Sequence, residues 1–116
     1  MMLHLQLKEQ IEKHFFEHLN KEIVLLQDAL QLSLVNGVEA EIRYFSPTEY
    51  SLRWLWGDAE SRIDTAPLHQ NLKTSPNHFH NFEGSVLDDP LTVHGADPWS
   101  NVRAVLSALI QNPALN

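Results

Sequence analysis

Residues 30–65 alternate between apolar and polar side chains, and this period of two constrains the fold more than any other feature of the sequence. Three short runs rich in residues that favour tight turns interrupt the alternation, namely Asn36-Gly37, Ser46-Pro47-Thr48 and Gly57-Asp58. Strands joined by such short turns pair antiparallel with their neighbours. We therefore predict a four-stranded antiparallel β-meander, with strands at residues 30–34, 38–45, 49–56 and 60–65.

The sequence predicts one amphipathic helix before the strands of this sheet and one after them. Near the N-terminus an apolar residue recurs every four positions, in the series Leu3, Leu7, Ile11, Phe15 and Leu19. Near the C-terminus, Asp97-Pro98 combines a capping side chain with a proline at the first helical position, and Asn112-Pro113 ends the apolar stripe. We predict an α+β fold: an N-terminal helix, the meander, a long polar loop and a C-terminal helix packed on one sheet face.

Composition indicates an ordinary globular protein. The chain has 116 residues, 43% hydrophobic and 20% charged, so we expect residues 1–116 to form a single domain. It has no cysteine, which excludes disulfides and thiolate chemistry. No apolar run approaches the ~20 residues of a membrane span, so we expect a cytoplasmic protein without membrane contact. Phe16, beside Phe15, widens the apolar stripe of the first helix, which would allow a homodimer.

The net charge of −7 argues against a sequence-independent grip on nucleic acid, which needs a basic surface. The acidity lies in the flanks, because residues 1–41 carry seven acids and three bases, and residues 81–116 carry four acids and one base. Residues 42–80 carry four of each. A phosphate-bearing ligand is therefore not repelled from the middle of the chain.

The candidate site lies in this neutral segment, where the last predicted strand passes into the loop. Arg62 and Asp64 are two positions apart in a strand, so their side chains point to the same face. An arginine binds phosphate with its planar fork, and an aspartate orients an imidazole or accepts a proton. The candidate catalytic residues are Arg62, Asp64, His69, His78 and His80, and the candidate substrate-binding residues are Arg53 and Arg62.

Three interpretations of these residues compete. In the first, a histidine moves protons, Asp64 holds its tautomer and an arginine stabilises negative charge, without a metal ion. In the second, His78 and His80 bind a divalent metal with His69 or Asp64, because His-x-His on a strand places two imidazoles on one face. In the third, the residues are a structural network that ties a long loop to the sheet.

The sequence also resembles a known family. The motifs that carry the resemblance are Tyr50-Ser51-Leu52-Arg53-Trp54, Arg62-x-Asp64-x-x-Pro67-x-His69 and Pro76-x-His78-x-His80, followed by a closing amphipathic helix. They resemble the TumE-like proteins, small toxin components of bacterial and archaeal toxin–antitoxin pairs. The resemblance implies a cytoplasmic growth-inhibiting toxin that a helix-turn-helix antitoxin neutralises, and analogy with other small toxins adds RNA as the substrate.

We therefore predict a toxin with a metal-independent ribonuclease site and no cofactor. Arg62 would bind phosphate, Asp64 would orient a histidine, and His78 or His80 would be the acid or base. Two alternatives remain open: a non-catalytic binding or interaction protein whose histidines stabilise a loop, and a divalent-metal-binding protein.

Overall fold

The computed structural model describes residues 2–115. The helix α1 (Met2–Phe15) precedes the strands in the sequence, and α2 (Pro98–Gln111) follows them. A short 3-10 helix at Phe16–His18 comes directly after α1. The strands are β1 (Val24–Leu25), β2 (Leu30–Ser33), β3 (Val38–Ser46), β4 (Glu49–Trp56), β5 (Ala59–Asp64), β6 (His78–His80) and β7 (Val86–Leu87). The predicted α+β class and both predicted helices are confirmed. No helix in residues 2–115 is long and apolar enough to cross a membrane.

The prediction of four strands is wrong, because the sheet has seven. They lie in the order β1 to β7 and every neighbouring pair is antiparallel, so the sheet is one continuous meander. The three strands outside the predicted meander are only two or three residues long, too short for an alternating pattern to identify them. Two of them, β6 and β7, lie within the segment that was predicted to be a long polar loop.

The four predicted strands form the centre of the sheet as β2 to β5. The turn at Asn36-Gly37 joins β2 to β3, with Gly37 at a φ of +96°, where a side chain would be strained. The backbone N–H of Leu34 donates to the carbonyl of Val38 at 2.8 Å and closes this hairpin. The register that follows places residues of even number in β3 and β4 on one face and residues of odd number on the other.

The two helices cover the face that carries these even-numbered residues. Leu7 and Ile11 of α1 and Leu106 of α2 are buried in one core with Ile42 and Trp54 of the sheet. Full burial of each such side chain contributes roughly 1.5–3 kcal/mol. The predicted cap of α2 is present, because the Asp97 side chain accepts a hydrogen bond from the Ser100 N–H at 3.4 Å and Pro98 begins the helix. The opposite face of the sheet is left for polar side chains.

Trp56 and Phe16 are among the aromatic residues that lie outside this core. Trp56 has an even number in β4, as Trp54 does, but it is 43% exposed. It ends β4 next to the β2–β3 hairpin, where its indole N–H donates to the Asn36 carbonyl at 3.3 Å. Phe16 follows α1 and is 74% exposed. A contact between Phe16 and a second copy of the chain stays a prediction.

Candidate functional site

The polar face of β5 and β6 brings the predicted site residues together. Arg62 lies directly opposite His80 in the β5–β6 ladder, and Asp64 lies directly opposite His78. Opposed residues in antiparallel strands point to the same face, so all four side chains share it. The fifth predicted residue, His69, reaches them from the segment that follows β5.

Asp64 is the centre of the hydrogen bonding at this face. Its Oδ1 lies 2.7 Å from His78 Nε2 and accepts a hydrogen bond from the Ala66 N–H at 3.1 Å. Its Oδ2 accepts from Arg62 Nε at 2.7 Å. One carboxylate therefore orients an imidazole, a guanidinium and the first residues of the following segment.

His78 is fixed at both of its ring nitrogens. Nε2 faces the Asp64 carboxylate, and Nδ1 lies 3.0 Å from the Pro76 carbonyl oxygen. The Pro76 carbonyl can accept a hydrogen bond from Nδ1, and the Asp64 carboxylate makes a close polar contact with Nε2. The residue is 1% exposed. His78 is therefore held in place by contacts at both ring nitrogens and is shielded from solvent.

His69 and His80 are the accessible members of the histidine cluster, by which we mean His69, His78 and His80. The ring centroids lie 4.8 Å apart for His69 and His78, 4.7 Å for His78 and His80, and 5.9 Å for His69 and His80. Both His69 and His80 are half-buried, and neither ring nitrogen of either residue has a hydrogen-bond partner within residues 2–115. They are the two imidazoles that can exchange protons with a ligand.

The surroundings of His80 favour its neutral form. Burial lowers the pKa of His80, and the positive charge of Arg62 lowers it further, as does the neighbouring His78. The Asp64 carboxylate acts in the opposite direction but does not reverse the shift. A neutral imidazole has one nitrogen able to accept a proton, which is what a general base needs.

The two candidate substrate-binding arginines have different surroundings. Arg62 uses Nε for Asp64, and its side chain is 38% exposed. Within the described chain its two terminal nitrogens have no ion-pair partner, so they remain for an anionic ligand. Arg53 lies opposite Arg62, on β4. Its Nη2 is 3.6 Å from Glu41 Oε1 and its Nη1 is 3.6 Å from Glu60 Oε2, so two carboxylates already offset its positive charge.

The histidine cluster also has the composition of a metal site. One ring nitrogen from each of its three residues can be chosen so that all lie within 4.8 Å of one another. The alternative of a divalent-metal-binding protein therefore has a specific set of donors, while the expectation of a site that needs no metal stays a prediction.

A buried network beneath the site was missed by the sequence interpretation. It consists of Tyr50, Asn77, Asp89 and Thr92, all less than 8% exposed. The Asn77 amide donates to Tyr50 Oη at 2.7 Å and to Asp89 Oδ2 at 3.0 Å, and Asp89 also accepts from the Thr92 hydroxyl. Asp89 Oδ1 accepts from the N–H groups of Leu91 and Thr92, both at 2.9 Å. This network fixes the residue just before His78.

A sequence signal for part of that network exists. Asp89 is followed by Pro90, and an aspartate that accepts from the N–H two residues later is a common turn. The signal identifies a turn but not its partners. Asn77 and Tyr50 are 27 residues apart, so only the folded sheet brings them together.

The accessible groups of the site lie on the sheet face, because His69 and His80 are half-buried and the Arg62 side chain is 38% exposed. A hollow of about 240 Å³ has Glu39, Glu41 and Arg53 among its lining residues, and the histidine cluster does not line it. Partly exposed groups on a sheet face suit an extended ligand that passes over them better than a small molecule that needs enclosure.

Comparison with known protein families gives a match over most of the chain. The model of the family described as toxin TumE matches residues 6–112, which cover the sheet, most of α1, all of α2 and every candidate site residue. No curated protein and no solved structure shows significant similarity to the chain.

Proposed function

The chain belongs to the TumE toxin family, and from that premise we propose that it is a toxin that cleaves RNA at the histidine cluster without a metal ion. The observation that carries the proposal is the pair of accessible imidazoles, His69 and His80, with ring centroids 5.9 Å apart beside a guanidinium. Cleavage of RNA by its own 2′-hydroxyl needs a base, an acid and a positive charge near the phosphate. The open face supplies all three.

We assign the roles from the exposure, contacts and charge surroundings of each residue. His80, whose pKa is lowered, takes the proton from the ribose 2′-hydroxyl. The 2′-oxygen then attacks phosphorus, and His69 in its protonated form donates a proton to the 5′-oxygen as the P–O5′ bond breaks. The products are a 2′,3′-cyclic phosphate and a 5′-hydroxyl. The terminal nitrogens of Arg62 balance the charge on the phosphate oxygens.

Asp64 and His78 position these groups. Asp64 holds Arg62 through Nε and His78 through Nε2. His78 packs against both accessible rings. The sequence interpretation gave the acid or base role to either His78 or His80. The burial of His78 and the close contacts at both of its ring nitrogens support His80 for that role, and the position of His69 supports His69 as the second proton carrier.

A specific observation favours the non-catalytic alternative as the second candidate. His78 is buried and paired at both ring nitrogens, as expected of a network that ties the segment before β6 to the sheet. On this alternative His69 and His80 only pack against His78.

The partner that we propose is a helix-turn-helix antitoxin, and family membership supports an antitoxin. Co-expression of the adjacent reading frame would restore growth of a host that expresses the chain alone. Failure of every neighbouring gene to restore growth would contradict this partner.

The test of the catalytic proposal is expression in a bacterial host, with growth and the 5′ ends of total RNA as readouts. We expect growth arrest and new 5′-hydroxyl ends with the unmodified chain. His69→Gln and His80→Gln should each reduce cleavage by roughly 10²–10⁴-fold, the usual contribution of a general acid or base. His94→Gln changes an exposed histidine outside the cluster and should cleave normally.

The same variants separate the two candidates. Full cleavage by His69→Gln and His80→Gln proteins would contradict the assigned roles. Growth arrest without new RNA ends would contradict RNA cleavage and favour an interaction protein. Circular dichroism of each purified variant confirms that a loss of activity is not a loss of fold.

A further inference from the structure

We propose that the histidine cluster binds one divalent transition-metal ion of the Zn²⁺ class, and that the bound ion stops RNA cleavage. The second half of the proposal rests on the proposed function, because the ion occupies the nitrogens that would otherwise carry protons. The first half, the metal site itself, rests only on the geometry of three imidazoles.

The donor positions are close to those of a zinc site. One ring nitrogen from each histidine lies within 4.8 Å of the other two. Two nitrogens bound to a tetrahedral zinc ion are about 3.4 Å apart, so the longest separation needs to close by about 1.4 Å. His69 lies outside the strands, where small backbone shifts are cheap compared with shifts in the sheet. His69 is thus the ligand that closes the site.

The orientation of the rings suits three ligands of one ion. The ring planes are inclined by 65°, 75° and 74° in the three pairs, so none of the three rings is stacked face to face on another. His78 and His80 alternate with Phe79 in β6, which puts both imidazoles on the polar face while Phe79 enters the core. The rigid strand therefore supplies two of the three ligands.

His78 already has the second hydrogen bond that a metal-bound histidine usually makes. Its Nδ1 lies 3.0 Å from the Pro76 carbonyl, and a ligating imidazole commonly donates its other N–H to such a carbonyl. That contact leaves Nε2 as the ligand atom, and Asp64 Oδ1, which lies 2.7 Å from this nitrogen, shifts aside as the ion binds. The Asp64 oxygen now 2.7 Å from Nε2 lies beside the bound ion and offsets its charge.

The charges and donor atoms of the cluster determine which metal ions it binds. Arg62 lies opposite His80 and repels any cation, whereas the Asp64 carboxylate attracts one. Binding must therefore come from imidazole nitrogen, which prefers Zn²⁺, Cu²⁺, Ni²⁺ and Co²⁺ over Mg²⁺ and Ca²⁺. A bound ion engages the lone pairs of His69 and His80. Neither residue can then accept or donate a proton, so the reaction stops.

The test of the metal site uses the full chain after treatment with a chelator. Isothermal titration with ZnCl₂ should give one ion per chain, and CoCl₂ should give the visible absorption of a nitrogen-ligated cobalt ion. His69→Gln and His80→Gln should each weaken zinc binding by about tenfold or more, a loss of at least the size caused by disturbing a ligand's surroundings. His94→Gln should bind zinc as the unmodified chain does, and MgCl₂ should give no binding heat.

RNA cleavage by the same samples tests the inhibitory role. We expect cleavage in the presence of chelator and its loss when one equivalent of ZnCl₂ is added. Absence of one-to-one zinc binding, or zinc binding that survives in both glutamine variants, would overturn the metal site. Cleavage that requires zinc would overturn the inhibitory role. A chain that binds zinc through the cluster but cleaves no RNA in either state would leave the metal site standing and overturn the proposed function instead.

Discussion

Asp64 and His78 face each other across the β5–β6 ladder, and Asp64 Oδ1 lies 2.7 Å from His78 Nε2. The same carboxylate holds Arg62 on its own strand. One side chain therefore connects the strand that the sequence predicted with the strand that it missed. The energy of this connection decides how firmly the histidine cluster is held on the sheet.

We predict that Asp64 and His78 are energetically coupled. Asp64→Asn and His78→Gln should each lower the free energy of unfolding by about 1–3 kcal/mol, because each leaves a partner buried without its full hydrogen bonding. The double variant should lose at least about 1 kcal/mol less than the sum of the two. Urea denaturation of all four proteins measures the coupling. Purely additive losses would show that the contact does not stabilise the fold.

We predict that Asp89 and Asp88, adjacent in sequence, differ sharply in their effect on stability. Asp89 is 7% exposed and accepts hydrogen bonds from Asn77, Leu91 and Thr92. Asp89→Ala should lower the free energy of unfolding by about 2–4 kcal/mol, because several buried donors lose a charged acceptor. Asp88 is exposed, so Asp88→Ala should cost under about 1 kcal/mol. Equal losses in the two variants, measured by thermal denaturation, would contradict the importance of the buried network.

The sequence predicts those parts of the fold that depend on local patterns. Alternation and turn residues predicted β2 to β5, and the Asp97-Pro98 pair predicted the start of α2. These features arise from neighbouring residues, so a single sequence contains them. The strands β1 and β7 have two residues each and pair with a longer neighbour that offers free backbone groups, so an alternating pattern cannot establish them.

The sequence predicted which candidate residues share a face of the sheet, but it did not predict the contacts that each of them makes. Strand alternation placed Arg62 and Asp64 on one face, and the His-x-His spacing placed His78 with His80. The division of roles was not predictable, because it depends on the Pro76 carbonyl that occupies His78 Nδ1. That contact comes from the path of the chain before β6, which only the folded structure defines.

We predict that acid destabilises the fold partly through His4, a 5% exposed residue of α1 outside the candidate site. His4 Nε2 accepts a hydrogen bond from the Tyr44 N–H at 3.1 Å, which only an unprotonated nitrogen can do. Burial, assisted by Arg43, lowers the pKa of His4 from its usual value near 6.5, although Asp28 opposes this shift. The unfolded chain therefore takes up this proton at a higher pH than the folded chain does.

The stability that unprotonated His4 contributes is therefore fully present above about pH 6.5, and it is lost as the pH falls through the lowered pKa of His4 in the folded chain. The lowered pKa of His80 acts in the same direction. The urea concentration at which half of the protein is unfolded should fall when the pH is lowered from about 7.5 to about 5. His4→Gln should reduce this fall, because a glutamine oxygen accepts the hydrogen bond from the Tyr44 N–H without titrating. His94→Gln should leave the fall unchanged. A His4→Gln protein with the full pH dependence would show that this histidine does not titrate on unfolding.

The last prediction concerns RNA affinity and the two carboxylates that surround Arg53. Because Arg53 lies 3.6 Å from both Glu41 and Glu60, its charge is largely balanced, and Arg53→Gln should weaken binding of a 2′-O-methyl RNA by less than about threefold. Glu60→Gln frees part of that charge and should strengthen binding, with a steeper dependence on salt. The gain should disappear in the Glu60→Gln, Arg53→Gln double variant, since no freed cation remains. Fluorescence anisotropy at two salt concentrations measures all three variants, and a large loss in Arg53→Gln alone would instead show that Arg53 contacts the RNA directly, as the sequence interpretation proposed.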